Sequence, residues 1–224
     1  MSDFIQAFLD LEIAVAVLPI LWLGLQTTLL LSLMVVPLGL ATGLVLALFS
    51  TRREAWLRWP LMAFIDIFRA IPPLVLLILL YAGLPFAGLE LSAWGSVAMA
   101  FMLNTGAYYA EILRAGIEAV PRGQSEAARA LGLRRWQVWI FVVLPQAVRN
   151  VLPDLVGNTL EVVKLTSLAS VVALPELLFQ ARQAQSITFN ATPIMVAAVA
   201  YFILLWPFVR LLSALETRKL RTMR

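Results

Sequence analysis

The chain has 224 residues, a net charge of +4, and neither cysteine nor histidine. Disulfides, thiolate and imidazole metal sites, and Ser-His-Asp or Cys-His catalysis are therefore excluded. With 62% hydrophobic and 13% charged residues, against about 25% charged in a soluble domain, and a mean hydropathy of +0.90, the composition predicts an integral membrane protein. The N-terminal segment MSDFIQAFLDLE has no basic region ahead of its first apolar stretch, so it does not read as a cleaved secretory signal.

The first charge-free run extends from Ile13 to Thr51. That is too long for one straight spanning helix of about 20 residues and too short for two with a turn. The reading is an outer-surface lead-in up to Pro19, then a span over 19–49 that Pro37 kinks. A second span covers 60–81, with Asp66 and Arg69 in its first turns, and "GLPFAGLE" follows as a short loop. A third covers 91–113. From Arg114 to Arg135 the chain is polar but keeps apolar residues at Ile117, Val120, Ala127, Ala128 and Leu131, a pattern for short amphipathic helices at the surface. A fourth span covers 149–172 and a fifth 193–212. The expected fold class is thus an all-α membrane protein with five transmembrane helices, 1–224 forming one transmembrane domain, and a loop over 114–148 on one side.

Basic residues orient the set. Arg52, Arg53 and Arg58 follow the first span. Arg114, Arg122, Arg129, Arg134 and Arg135 follow the third, and Arg218, Lys219, Arg221 and Arg224 form the tail. In a five-span arrangement these three regions share one side, and Asp3, Asp10, Glu12, the 83–90 loop and the 173–192 loop share the other. The positive-inside rule then places the N-terminus outside and the C-terminus in the cytoplasm. Basic residues at membrane edges, rather than on one face, argue against nucleic-acid binding. Trp56, Trp59, Trp94, Trp136 and Trp139 fall at the same edges and read as an aromatic belt. No internal repeat is visible, and five spans do not divide into the inverted halves of many secondary carriers.

The most specific stretch is "GQSEAARALGLRRWQVWIFVVLPQ", residues 123–146. Ser125 stands ahead of Glu126 as an N-cap would. The small Ala127 and Ala128 let another surface approach closely. Gly132 permits a sharp turn between two short helices, and Pro145 ends or kinks the second of them. By spacing alone, an amphipathic helix lying on lipid is the favoured reading, because interfacial helices are common.

This order of features, Glu126-Ala127-Ala128, then Gly132, then Val142-x-Leu144-Pro145, resembles the EAA loop of bacterial ABC-importer permeases. "GAYYAEILRAGIEAVPRGQSEAARALGL", "LPQAVRNVLPDLVGN", "KLTSLASV", "FRAIPPLV" and "LPILWLGLQTTLLLSL" are similar to the polar amino-acid uptake branch of that family, so the likeness runs from about Leu18 to Arg182. The resemblance implies a type I ABC importer-like permease in the bacterial inner membrane. Glu126, Ala127, Ala128, Gly132, Leu144 and Pro145 would then couple to ABC ATPase subunits. A second permease subunit would complete a homodimer or heterodimer, and an extracytoplasmic solute-binding protein would deliver amino acids or similar zwitterions. No P-loop G-x-x-x-x-G-K-[ST] occurs. The chain is thus expected to be no enzyme and to carry no cofactor, with ATP and Mg held by the partner ATPase. Family members more often carry Gly, Thr and Leu where Ala70, Ile71 and Pro73 stand, Gln at Leu76, and Asp or Asn at Leu165. Each change makes this chain less polar.

The fourth span holds the stretch "LEVVKLTSL". A charge at the bilayer centre costs at least about 2.5–3.5 kcal/mol, yet Glu161 and Lys164 sit there at helical i, i+3 spacing, where they can neutralise each other. Asn158 is one step of three earlier, and Thr166 and Ser167 can bond their own backbone. Two roles are open: a polar stripe bordering the substrate path, or an ion pair that fixes packing. Arg69 can pair with Asp66 as an interface ion pair, the family resemblance implies a conformational or assembly role for it, and it joins the substrate-path candidates; Pro72 and Pro73 should break the second span where a neighbour must satisfy the freed carbonyls. Glu111 and Arg114 are expected as a surface pair. The rival functions are an ion-coupled carrier using Glu161, and a permease of the same family for a compatible solute or opine-like compound.

Overall fold

The computed structural model describes residues 7–51 and 54–222, with side chains through Thr217. Asp3, Arg52, Arg53 and Arg224, and the side chains of Arg218, Lys219 and Arg221, lie outside the described residues, so their part in the orientation argument is untouched by it. Among the described residues every regular element is helical.

Helix α1 runs unbroken over Leu11–Ser50. The stretch expected as an outer-surface lead-in up to Pro19 is helical and continuous with the span that follows. Asp10 starts the helix: its Oδ1 accepts the backbone N–H groups of Glu12 (2.9 Å) and Ile13 (3.2 Å), and Glu12 adds a negative charge in the first turn. The helix passes through both Pro19 and Pro37. Its hydroxyls are kept off the apolar surroundings by bonding carbonyls one turn back, Ser32 to Thr28 at 2.8 Å and Thr42 to Leu38 at 2.8 Å.

The second span is α2 (Ala55–Ala70) followed by α3 (Pro73–Ile78), which continues through wide and tight turns to Ala87. Pro72 drives Ile71 into an extended conformation (φ −76°, ψ 126°), and Pro73 opens the next helix at the position where a missing N–H costs nothing. Helix α4 (Ala93–Glu118) begins where Ser92 Oγ accepts the Gly95 N–H at 3.1 Å.

Helix α5 (Arg122–Ala130) is followed by the turn at Gly132 and by α6, a single turn Arg135–Gln137. The chain then widens over Val138–Val143 and continues directly as α7 (Leu144–Leu165), tightening over Thr166–Val172. Of the expected end or kink at Pro145, the end does not occur. The wider winding absorbs it: the Leu144 N–H reaches back five residues to Trp139 O, and Gln146 Nε2 caps the Val142 carbonyl at 2.8 Å. The turn Arg135–Gln137 and the fourth span thus follow one another without a non-helical break. Helices α8 (Leu177–Thr188) and α9 (Thr192–Thr222) complete the chain.

Leu11–Ser50, Arg135–Val172 and Thr192–Thr217 are each long and apolar enough to cross a membrane, and the interrupted pair Ala55–Ala70 with Pro73–Ala87 qualifies as one broken span. Helix α4, the expected third span, has the length but is diluted by Ser96, Asn104, Thr105 and two tyrosines, all of which it spends on contacts with other helices or its own backbone or keeps buried.

Two compact units emerge. The first comprises Met1–Val35, Pro73–Ala100 and Leu160–Leu211. Its core joins Val17 and Leu21 of α1 to Leu177, Ala181 and Ala184 of α8 and Ala197 of α9. The second comprises Val36–Pro72, Phe101–Thr159 and Leu212–Arg224. Its main core joins Ala47 of α1, Leu113 and Ile117 of α4, Ala128 of α5, Val138 and Val143, and Ala147 and Val151 of α7.

Candidate functional site

The coupling segment is anchored by one residue and presents its neighbours. Ala128 is 6% exposed and belongs to the core, whereas Glu126 and Ala127 beside it face outward. The two alanines therefore have different roles: one seats α5 on the unit, and the other leaves a smooth outer face next to a carboxylate. Ser125 is not the N-cap. That position falls to Pro121, and Ser125 sits in the second turn, because Pro121 already sets the φ that starts the helix. The turn is built around Gly132, whose φ of +83° only glycine adopts cheaply. Gly132 N–H bonds Arg129 O at 2.9 Å and Leu133 N–H bonds Ala128 O at 3.2 Å, the paired bonds of a Schellman ending. Gln137 Oε1 then accepts the Arg134 N–H at 2.8 Å and starts the following turn. A cavity of about 520 Å³ opens beside α5, with Glu118, Arg122, Ser125, Glu126 and Arg129 on its rim. Leu144 is half-buried and Pro145 exposed where α7 begins.

The broken second span solves a hydrogen-bond problem. Pro72 and Pro73 have no N–H to give the carbonyls four residues earlier, those of Phe68 and Arg69. Both carbonyls are met from α4. Asn104 Nδ2 donates to Phe68 O at 2.8 Å, and Tyr108 OH donates to Arg69 O at 3.3 Å. The two donors lie one helical turn apart, matching two consecutive freed acceptors. The Arg69 guanidinium lies over the Tyr108 ring, 5.5 Å from its centroid, and its Nε is buried without a hydrogen-bond partner. The expected Asp66–Arg69 pair is absent among the described ion pairs, because the aromatic ring takes the arginine instead.

In the fourth span Lys164 Nζ and Glu161 Oε1 are 2.7 Å apart, as their spacing requires. Their side chains are 52% and 65% exposed, so the pair faces away from the core of its unit, and among the described residues neither forms an ion pair with a second helix. Thr166 points the other way: it is fully buried, with Oγ1 bonded to Val163 O at 2.7 Å. Ser167 returns its hydroxyl to Lys164 O at 2.8 Å. Glu161, Lys164 and Ser167 are thus brought together, and Thr166 is not part of their face. Asn158, taken with the second unit, has a buried Nδ2 without a partner; Thr159 beside it bonds Tyr109 OH at 2.7 Å. The Glu111–Arg114 pair forms, but partly buried rather than at the surface (26% and 17% exposed), and it extends to Glu118, which meets Arg114 at 2.7 Å.

Two features escaped the sequence reading. Glu176 is fully buried in the 173–192 segment. Its carboxylate accepts the N–H groups of Leu178 (2.8 Å) and Phe179 (2.6 Å), capping α8, and the hydroxyl of Tyr201 (3.1 Å). Burial pushes its carboxyl above the usual range, against these three bonds that pull it down. Pro175-Glu176 ahead of the apolar positions 177, 178, 181 and 184 was the available signal. The second feature is Gly39-Leu40-Ala41-Thr42-Gly43, a G-x-x-x-G stripe that lets α1 touch α4. A Cβ at Gly43 would lie 2.5 Å from Tyr109 Cβ and 2.9 Å from Ala110 N, and one at Gly39 would run into Thr105.

The chain is similar to several transport-system permease proteins. It is 40% identical over 171 residues, 76% of each chain, to the probable amino-acid ABC transporter permease protein YckA of Bacillus subtilis. It is 31% identical over 216 residues to the arginine transport system permease protein ArtQ of the same organism, covering 96% of this chain and 98% of that one. A solved structure described as an amino acid ABC transporter with histidines superimposes with a TM-score of 0.84 at 35% identity, over 94% of this chain and 99% of that chain. The fold is accordingly that of a type I ABC importer permease, all-α and multi-pass. With residues 35–221 matching the family model, the chain belongs to the binding-protein-dependent transport system inner membrane components.

Proposed function

We propose that this chain is the permease subunit of an ATP-driven importer that carries amino acids or similar small zwitterions into the cytoplasm by alternating access. The observation that carries the reading is the Arg122–Gln137 segment. It is locked to its unit through Ala128, turned at Gly132, and leaves Glu126 and Ala127 free beside a polar cavity, as a surface that receives force from a partner must be. The partner is a pair of ABC ATPases, which bind the ATP and Mg that this chain has no motif to hold. A second permease subunit completes the passage, and an extracytoplasmic binding protein supplies substrate. Residues 1–224 work as one permease domain, with the N-terminus outside and the C-terminus cytoplasmic. The amino-acid cargo is supported by the names of YckA, ArtQ and the solved transporter.

Within this reading, Glu161 and Lys164 border the substrate path. Their outward-facing pair has no structural task inside its own unit, and an exposed pair contributes little to stability, roughly 0.3–0.5 kcal/mol at helical spacing. Glu161→Gln and Lys164→Met are each expected to lower uptake; unaltered uptake with normal ATPase coupling in both removes the pair from the path. The reading as a whole is tested by co-purifying the chain with its ATPase and binding protein and measuring ATPase stimulation across a panel of amino acids, compatible solutes and opine-like compounds. Stimulation by an amino acid is expected. If no ATPase associates, or the chain alone transports on an ion gradient without ATP, the reading fails and the ion-coupled carrier replaces it.

A further inference from the structure

A second cavity, of about 780 Å³, lies in the same unit as the coupling segment, and its lining is unlike that of the first. Leu48 and Phe49, from the last turns of the apolar helix α1, and Ile140, from the wide turn leading into the fourth span, give it an apolar wall. Arg129 and Arg135 supply two guanidinium groups, and among the described residues neither is in an ion pair. Trp136 and Trp139, 53% and 36% exposed, complete the mouth. Among the described residues Glu54 is the one acidic group on the rim.

We infer that this cavity binds the headgroup of an anionic phospholipid, with the phosphate between Arg129 and Arg135 and the acyl chains along Leu48, Phe49 and Ile140. Guanidinium groups present paired donors that match phosphate oxygens. Tryptophan settles at headgroup depth, and basic pockets on the cytoplasmic side of transmembrane helices select anionic headgroups. The net charge of the lining favours an anion, since two arginines face one carboxylate. The apolar wall argues for a lipid over a soluble protein. Leu48 and Phe49 belong to the last turns of α1, a helix long and apolar enough to cross a membrane, which suits acyl chains as their neighbours. Arg129 also lines the polar cavity beside Glu126, so the headgroup holds the coupling helix from its far side. The inference rests on the orientation above, in which this end of the chain faces the cytoplasm.

The test is native mass spectrometry of the purified permease, delipidated and then titrated with phosphatidylglycerol or phosphatidylethanolamine. Each arginine near an anionic headgroup is worth about five-fold in binding, so the wild type should prefer phosphatidylglycerol by about 25-fold. Arg135→Gln should reduce that to about five-fold, Arg129→Gln should do the same from the opposite wall, and Arg135→Lys should keep most of it. Arg182→Gln, on α8 in the other unit, should change nothing. Melting temperatures in detergent identify any variant that fails to fold, and the remaining arginine variant then decides. Equal retention of the two lipids by the wild type overturns the inference, as does a full preference surviving both glutamine substitutions. Loss of a co-purifying ATPase from Arg135→Gln with lipid retention intact overturns it too, making the cavity a protein interface. None of these lipid readouts depends on transport, so their failure leaves the proposed function standing.

Discussion

Asn104 offers the sharpest test of how the second span tolerates its break. Its amide is 1% exposed and donates to Phe68 O at 2.8 Å, the carbonyl that Pro72 leaves without a backbone partner. Asn104→Ala should strand that carbonyl where water is scarce, at a cost of about 1–3 kcal/mol for an unsatisfied buried group. For a chain of this size about 2 kcal/mol lowers the melting temperature by roughly 4–8 °C. Tyr108→Phe, which removes the partner of Arg69 O, should cost less: that bond is longer, 3.3 Å, and the tyrosine is 38% exposed, so other donors can reach the carbonyl. The decisive comparison is a double-mutant cycle read by thermal melts in detergent. Pro72→Ala restores a backbone N–H at the position that faces Phe68 O, so Asn104→Ala should cost at least about 1 kcal/mol less in that background. An equal cost in both backgrounds would refute the idea that Asn104 substitutes for the missing proline donor.

Gly43→Ala should lower the melting temperature by about as much as an overpacked core, roughly 1–3 kcal/mol, because backbone and Cβ atoms of α4 lie within 3.0 Å of the added methyl. Gly123→Ala, with nothing within 4 Å, should be neutral or slightly stabilising in the same melts, and similar losses at both sites would contradict the close approach of α1 and α4. Gly132→Ala forces a positive φ on a side chain at a cost of about 1–2 kcal/mol. ATPase stimulation by the reconstituted importer should fall, while Gly132→Asn, which tolerates that region better, should retain more of it. Ala173 occupies the same region at φ 56° in a Schellman ending, with N–H groups of Ala173 and Leu174 bonded to Ser170 O and Ala169 O. Ala173→Gly should therefore raise stability by about 1 kcal/mol, and a lowered melting temperature would refute the strain. Glu176 carries a pH dependence. Its carboxyl is raised in the folded chain, so the folded state holds the proton more tightly than the unfolded one. Its stabilisation is complete below the ordinary carboxylate value of about 4.3 and is lost as pH rises through the raised value. Glu176→Gln keeps a capping oxygen without the charge, so its melting temperature should gain on the wild type as pH rises from about 4 to 8; a constant gap would show that burial does not shift the titration of Glu176.

The parts legible in the sequence were those with a local cause. Gly132 announced its turn because a residue between two short helices that must take a positive φ is nearly always glycine. Glu161 and Lys164 announced their pair because i, i+3 spacing brings side chains together whatever the helix packs against. Pro72 and Pro73 announced both the break and the need for outside donors. Elements set by distant contacts were not legible. The course of α7 depended on a change of winding at Val138–Val143, which no single residue encodes and which turned Pro145 from a stop into an ordinary second residue. Arg69 went to Tyr108 rather than to Asp66, a choice decided by a residue 39 positions away and invisible in helical spacing.

The pattern has a mechanical consequence. The segment that would receive force is stiff on both sides of its turn: Ala128 is sunk in the core before Gly132, and the rod from Arg135 runs without a stop through the fourth span to Leu165. A displacement of α5 would pass through the turn at Gly132 to the start of α7, where Pro145 adds no second break. Had Pro145 ended the helix, motion at the coupling segment would dissipate in a second joint before reaching α7. Because it does not, loosening the rod at its weakest winding should uncouple the two ends without unfolding either. Val142→Gly, placed in the wide turn, is expected to leave ATPase association intact while reducing transport per ATP hydrolysed, since glycine in a helix costs about 1 kcal/mol and yields first under load. Proportional losses of both would show that the rod transmits nothing beyond its own stability.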